Sequence, residues 1–198
     1  GVIHLAFALS ECFARGFDAF STLVVSGDFD RLLVRPRGTV VQVLGSKIEF
    51  TRIGRMLQGA VVLGWAVSQL AVDWTAVKIL TLIFMVFGGV FVFVGIYILA
   101  ATLCFWTIQG LEVANVFTDG GREMAQYPLN IYENWVVKFF TFIIPFGAVS
   151  YLPLLSILDR AGGPVWLHML MPLSGMLFVV PCLLVWRLGV RHYRSTGS

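Results

Sequence analysis

From Ile79 to Trp106 the sequence runs for 28 residues without one Asp, Glu, Lys or Arg. The hydrocarbon core of a bilayer is about 30 Å thick and needs about 20 such residues in a helix, the form in which every backbone group bonds within its own segment. The run exceeds that length, which predicts a tilted helix or one that projects beyond the bilayer. Three more apolar stretches follow the same logic: Ile53 to Val72, uncharged after Arg55, then Val136 to Leu158, then Val165 to Trp186. Composition agrees, with 58% hydrophobic and 13% charged residues over 198 positions, against about 25% charged in soluble domains. The fold class expected is an all-α membrane protein, a polytopic helical bundle with four complete spans, and a soluble globular domain is excluded.

The segmentation that follows is 1–10 as the end of a further span, 11–52 as a polar loop and 53–72 as a span. Residues 78–108 form the next span and 109–136 an interfacial segment. Then come a span at 137–158, an irregular segment at 159–172, a span at 173–189 and a tail at 190–198. Gly1 to Leu9 is apolar but too short to cross a bilayer, and it lacks the basic start and cleavage site of a signal peptide. It reads as the inner end of a span whose beginning lies outside the sequence. The ending RHYRSTGS reads as a natural polar tail.

Basic residues set the orientation. Arg15, Arg31, Arg35, Arg37, Lys47, Arg52, Arg55, Arg122, Lys138, Arg187, Arg191 and Arg194 fall on one side; Lys78 and Arg160 alone fall on the other. Twelve against two puts the basic loop, the middle segment and the C-terminus in the cytoplasm, and the turns at Asp73 and Asp159 outside.

Glu11 to Arg55 is the most polar part of the chain. Phe17, Phe20 and Val24, then Phe29, Leu32 and Leu33, recur at the spacing of short amphipathic helices. Ser26-Gly27-Asp28 breaks the first and caps the second, and Arg35-Pro36 ends it, because proline pushes the preceding residue out of the α region. In the last spans Pro145, Pro153, Pro172 and Pro181 predict kinks. Pro153 to Pro172 is read as two short helices dipping in from the outer face, with plain helix ends and a loop as the alternative. Asp119-Gly120-Gly121 predicts a break within Gln109 to Trp135.

Catalytic chemistry finds no footing. Gly45-Ser46-Lys47 lacks both the earlier glycine and the following hydroxyl of a phosphate-binding loop, and neither HExxH nor CxxC occurs. His4, His168 and His192 are dispersed, with His168 read as an interfacial residue near an outer membrane end. Cys12, Cys104 and Cys182 are isolated in apolar or juxtamembrane settings, which suits buried small hydrophobes and neither a disulfide framework nor a metal site. The chain is expected to hold no metal and no cofactor and not to be an enzyme by itself. The arginines of the loop alternate with Asp28, Asp30 and Glu49, and topology already accounts for them, so no nucleic-acid partner is expected.

Three features carry functional weight. Asp28, Phe29, Asp30, Arg31, Leu32, Leu33, Arg35 and Arg37 form a charged segment around an apolar knob, which suits either a solvated loop or a helix docking on a soluble partner. Ala60, Gly64 and Ser68 place small residues on one helix face, with Gln58 and Gln69 nearby, which lets helix backbones approach in lipid. Within one chain that means ordinary packing; between chains it means a dimer or pathway surface. Glu112, Arg122 and Glu123, with Asp119, lie among Trp106, Tyr127, Tyr132 and Trp135, a belt of interfacial aromatics around a candidate cytoplasmic gate. The alternative is that these carboxylates pair with Arg122 or Arg55 on a wet surface.

The strings FDRLLVRPRGTVVQVLG, FWTIQGLEVANVFTDGGREMAQYPLNIY and WRLGVRHYRSTGS resemble the permease subunits of bacterial ABC-2 type exporters, in the branch of uncharacterised permease components. The likeness runs from about Phe13 to the last residue. It implies six spans in full length, of which this chain lacks the first and most of the second. It implies residence in the bacterial cytoplasmic membrane and pairing with a second permease, as homodimer or with a sibling. It also implies a cytoplasmic ABC ATPase that holds ATP and Mg. The loop Arg15 to Arg52 would carry the coupling helix, with Asp28 to Arg37 as the contact, and Phe29→Asp or Leu32→Asp would uncouple transport without preventing insertion. Relatives are associated with export of drugs, antibiotics, peptides or lipid-like substrates. Two other classes remain as alternatives. An ion channel or secondary transporter would place charges inside the spans, which are nearly free of them; a non-transporting scaffold would recruit a soluble partner through the basic loop.

Overall fold

A computed structural model describes residues 1–48, 50–107 and 110–193, with residues 110–115, 117 and 130 described by backbone alone. The described residues are helical with no strand. In chain order the helices are α1 (Val2–Asp18), α2 (Phe20–Val25), α3 (Asp28–Leu33), α4 (Thr39–Ser46), α5 (Ile53–Gln69), α6 (Ala76–Leu103), α7 (Gly110–Ala125), α8 (Asn134–Lys138), α9 (Leu152–Ile157), α10 (Val165–Leu170) and α11 (Leu173–His192).

Helix α6 is the axis of the bundle. The Thr75 Oγ1 opens it by accepting from the Lys78 N–H at 3.4 Å. α1 and α11 pack along its length, and α7 joins them on another side. Glycines set the spacing: a Cβ on Gly175 of α11 would collide with the Gly88 backbone of α6, so the two helices meet main chain to main chain. That is how helices gain contact in lipid, where burial of apolar surface offers no driving force between them. α5 lies outermost, packed on α1 through Gly59.

Among the described residues two helices are long and apolar enough to cross a membrane: Ala76–Leu103, and Val165–His192, in which α10 runs on into α11. A third crossing requires joining Asn134–Ile143 to Gly147–Ile157, which meet at 81°. The cause is Pro145. Ile144 before it is extended, at φ −110° and ψ 100°, as a pre-proline residue prefers, and π-helical turns at Phe139–Ile143 and Gly147–Tyr151 flank the bend. Pro153 falls in the first turn of α9, where a missing N–H costs little, and Pro181 sits inside α11 without ending it. α5 is a 17-residue helix, at the lower end of the length that crosses a bilayer.

The predicted break at Asp119-Gly120-Gly121 is corrected: α7 runs through it from Gly110 to Ala125. Gly121 is there for closeness, since a Cβ would come within 2.9 Å of the Phe146 ring. The break at Ser26-Gly27-Asp28 is present, with Gly27 in the left-handed region at φ 75°. All three cysteines are free and buried. His168 is buried too, its Nδ1 3.2 Å from the Pro164 carbonyl oxygen. At one end Lys78 reaches Asp159 at 2.7 Å, so the two turns sorted to one side by charge do meet.

Candidate functional site

At the opposite end α3 is nailed to the bundle by Phe29. Its ring lies 4.9 Å from Phe20, 5.6 Å from Phe105, 6.3 Å from Trp186 and 5.0 Å from Tyr193, mostly edge to face. Phe17 joins through Trp186 at 5.2 Å. These rings come from α1, α2, α3 and the ends of α6 and α11, so one cluster ties the polar loop to three long helices. Such pairs add about 0.5–1.5 kcal/mol each beyond area burial. Trp186 donates its indole N–H to the Thr39 hydroxyl at 3.0 Å, which fixes the start of α4. α4 in turn crosses α1 where a Cβ on Gly16 would land on the Val43 carbonyl. Burial, and after it the Asp30 carboxylate, pushes the Tyr193 phenol above its ordinary pKa.

The apolar knob expected at Phe29, Leu32 and Leu33 is therefore corrected. Phe29 is 0% exposed and Leu32 is partly buried against the core. The face left outside carries Leu33 at 38% and Val34 at 87% exposure, with Arg31, Arg35 and Arg37 around them. Arg31 pairs with Asp28 at 3.3 Å, Ser26 donates to Asp28 at 2.9 Å, and the Gln42 amide bonds the Leu32 and Arg37 carbonyls at 3.0 and 2.7 Å. The turn after α3 is thus held at both ends, and its exposed side chains have a defined direction.

The small-residue face of α5 is not used within the chain. Ala60, Gly64 and Ser68 are exposed, as are Gln58 and Gln69, and a Cβ on Gly64 would meet nothing within 4 Å. The helix packs through the adjoining Gly59, whose Cβ would stand 3.1 Å from the Leu5 backbone.

A charged cavity of about 510 Å³ lies among α1, α5, α6 and α7. Its centre is Glu11, whose side chain is 6% exposed and is reached by Arg55 at 2.9 Å, Arg52 at 3.8 Å and Arg15 at 3.9 Å. Arg15 also pairs with Asp18. Burying that carboxylate is tolerable because three cations surround it. The sequence reading passed over Glu11. The signal was present, for it is the first charged residue after an apolar run, with Arg15 one helical turn on.

Of the candidate gate, Arg122 pairs with Glu123 at 2.7 Å and Asp119 at 3.7 Å, and its guanidinium stands 4.9 Å from the Phe7 ring centroid. Glu112 lies in α7, with its side chain outside the described residues. Arg55, the other partner proposed for these carboxylates, turns instead to Glu11. Among the described residues no cluster of His, Cys, Asp and Glu is placed to hold a metal ion.

Comparison with curated proteins and with solved structures gave no match. Comparison with protein families matched the family described as "ABC-2 family transporter protein" over residues 1–197. That span takes in the aromatic cluster, the charged cavity and both long apolar helices, and the chain accordingly belongs to the ABC-2 transporter family, as a membrane-spanning permease.

Proposed function

We propose that the chain is the transmembrane subunit of an ATP-driven exporter, and that the outer face of α3 and its following turn dock on a separate cytoplasmic ABC ATPase. The observation that carries this is the two-sided character of α3. Leu33, Val34, Arg31, Arg35 and Arg37 face out, while Phe29 is buried among rings from α2 and from the ends of the long helices α6 and α11. A docking element that only recruited a partner would need no such anchor. One that transmits movement needs a stiff connection, and close-packed interiors transmit strain. ATP and Mg would bind on the ATPase, not on this chain. The arginine-rich end and the C-terminus would face the bacterial cytoplasm. Ala60, Gly64 and Ser68, with Gln58 and Gln69, would meet a second permease, and Arg122 with Glu123 and Glu112 would line the cytoplasmic entrance.

The test is mild-detergent purification of the full-length protein from its native membrane, with mass spectrometry of what accompanies it. A stoichiometric ATPase carrying a phosphate-binding loop, lost on Val34→Asp but kept on Arg160→Asp at the far end, is the expected result. Wild-type protein that brings down no ATPase would leave recruitment of some other partner as the better reading.

A further inference from the structure

Beside the charged cavity, between α1, α5 and α7, lies a smaller cleft of about 350 Å³. Its lining combines the polar Arg55, Arg122, His4 and Gln58 with the apolar Phe7 and Val62, the Arg122 guanidinium standing 4.9 Å from the Phe7 ring centroid. We propose that this cleft binds the anionic head of a membrane amphiphile, with a phosphate-type group on the arginines and the first apolar carbons against Phe7 and Val62. The inference needs only that the chain spans a membrane, and it stands or falls apart from ATPase docking.

Charge comes first. Among the described residues no carboxylate lines this cleft, whereas two guanidiniums do. The nearest acids, in the adjoining cavity, already have cations of their own. Glu11 is reached by Arg52 and Arg15 besides the cleft's own Arg55, whose side chain stays 53% exposed, and Asp18 by Arg15. Asp119 and Glu123 hold Arg122 only from side chains that are 58% and 57% exposed, where water screens the attraction. The Arg122 Nε is shielded from solvent and has no acceptor among the described residues. Two planar guanidiniums lining one cleft match the oxygens of a phosphate-type group, which arginine binds through paired N–H bonds.

Shape comes second. A free inorganic anion would satisfy the arginines but leave the apolar wall at Phe7 and Val62 uncovered, and a neutral lipid would cover the wall and leave the cations unmatched. Access is lateral. α5, which walls the cleft, turns Leu57, Val61 and Trp65 outward at 59, 69 and 68% exposure, the side that faces lipid in a spanning protein.

The experiment is native mass spectrometry of the full-length protein in detergent, with phosphatidylglycerol, phosphatidylcholine or inorganic phosphate added. The wild type should retain phosphatidylglycerol about tenfold better than phosphatidylcholine, a difference of about 1.4 kcal/mol, and millimolar phosphate should not displace it. Arg122→Gln should bring the preference close to unity, Arg122→Lys should restore part of it, and Arg160→Gln at the far end should change nothing. Val62→Trp fills the apolar wall without touching a charge, so its loss of lipid serves if an arginine variant fails to fold. Equal retention of both lipids by the wild type overturns the proposal. So does a preference unchanged in both Arg122→Gln and Val62→Trp, or full displacement of the lipid by inorganic phosphate.

Discussion

The aromatic cluster around Phe29 and the ionic cluster around Glu11 are both built on α1, at the same end of the bundle, from opposite materials. The first consists of rings 4.9 to 6.3 Å apart, with an indole hydrogen bond to Thr39 at its edge. Its cohesion comes from burial and shape, so its parts move together. In the second, one carboxylate is shared by three arginines at 2.9 to 3.9 Å. Those arginines keep between 21 and 53% of their side chains exposed, so they can exchange partners through water. Under the docking proposal the difference assigns roles: the dry cluster would carry displacement from α3 into α6 and α11, and the wet one would change its pairing when the helices shift or a ligand enters.

Variants can break or sharpen that contrast. Phe29→Ala removes a fully buried ring and should cost about 3–5 kcal/mol, read as a large fall in the melting temperature of the detergent-solubilised full-length protein. A change of less than about 1 kcal/mol would show that the ring is not the anchor. Glu11→Ala strands cations beside a low-dielectric wall. Because the arginines reach water, the loss should sit near the lower end of the range for breaking a buried pair, about 3 kcal/mol. This loss, unlike that of Phe29→Ala, should shrink as salt rises, since salt screens the repulsion left behind. Equal salt dependence in the two variants would erase the distinction. Trp186→Phe keeps the ring contacts and deletes the bond to Thr39, for about 1 kcal/mol. Its proper readout is faster proteolysis within Thr39–Ser46 rather than global unfolding.

Much of this was legible in the sequence. The 28-residue run is α6 within a few residues at each end, because length and absence of charge need no tertiary knowledge. The break at Gly27 and the end of α3 before Pro36 were legible for the same reason: they are set by local backbone chemistry. What could not be read depends on partners far along the chain. Periodicity showed α3 to be amphipathic without showing that its apolar face turns inward, which requires Phe105 and Trp186 to arrive from α6 and α11. Glu11 finds Arg55 across 44 positions. Asp119-Gly120-Gly121 looked like a stop because glycine usually weakens a helix, and only the Phe146 ring explains why one is wanted there.

The most direct test of the central claim is disulfide or short thiol cross-linking at Val34. All three cysteines of the sequence are buried, so Val34→Cys presents an accessible thiol against a quiet background. In native membranes it should cross-link to an ATPase subunit, with the yield changing between nucleotide-free and ATP-trapped states, while Val61→Cys on the outer face of α5 gives no such product. An ATPase cross-link at Val61→Cys with none at Val34→Cys would contradict the account and move the docking surface away from α3.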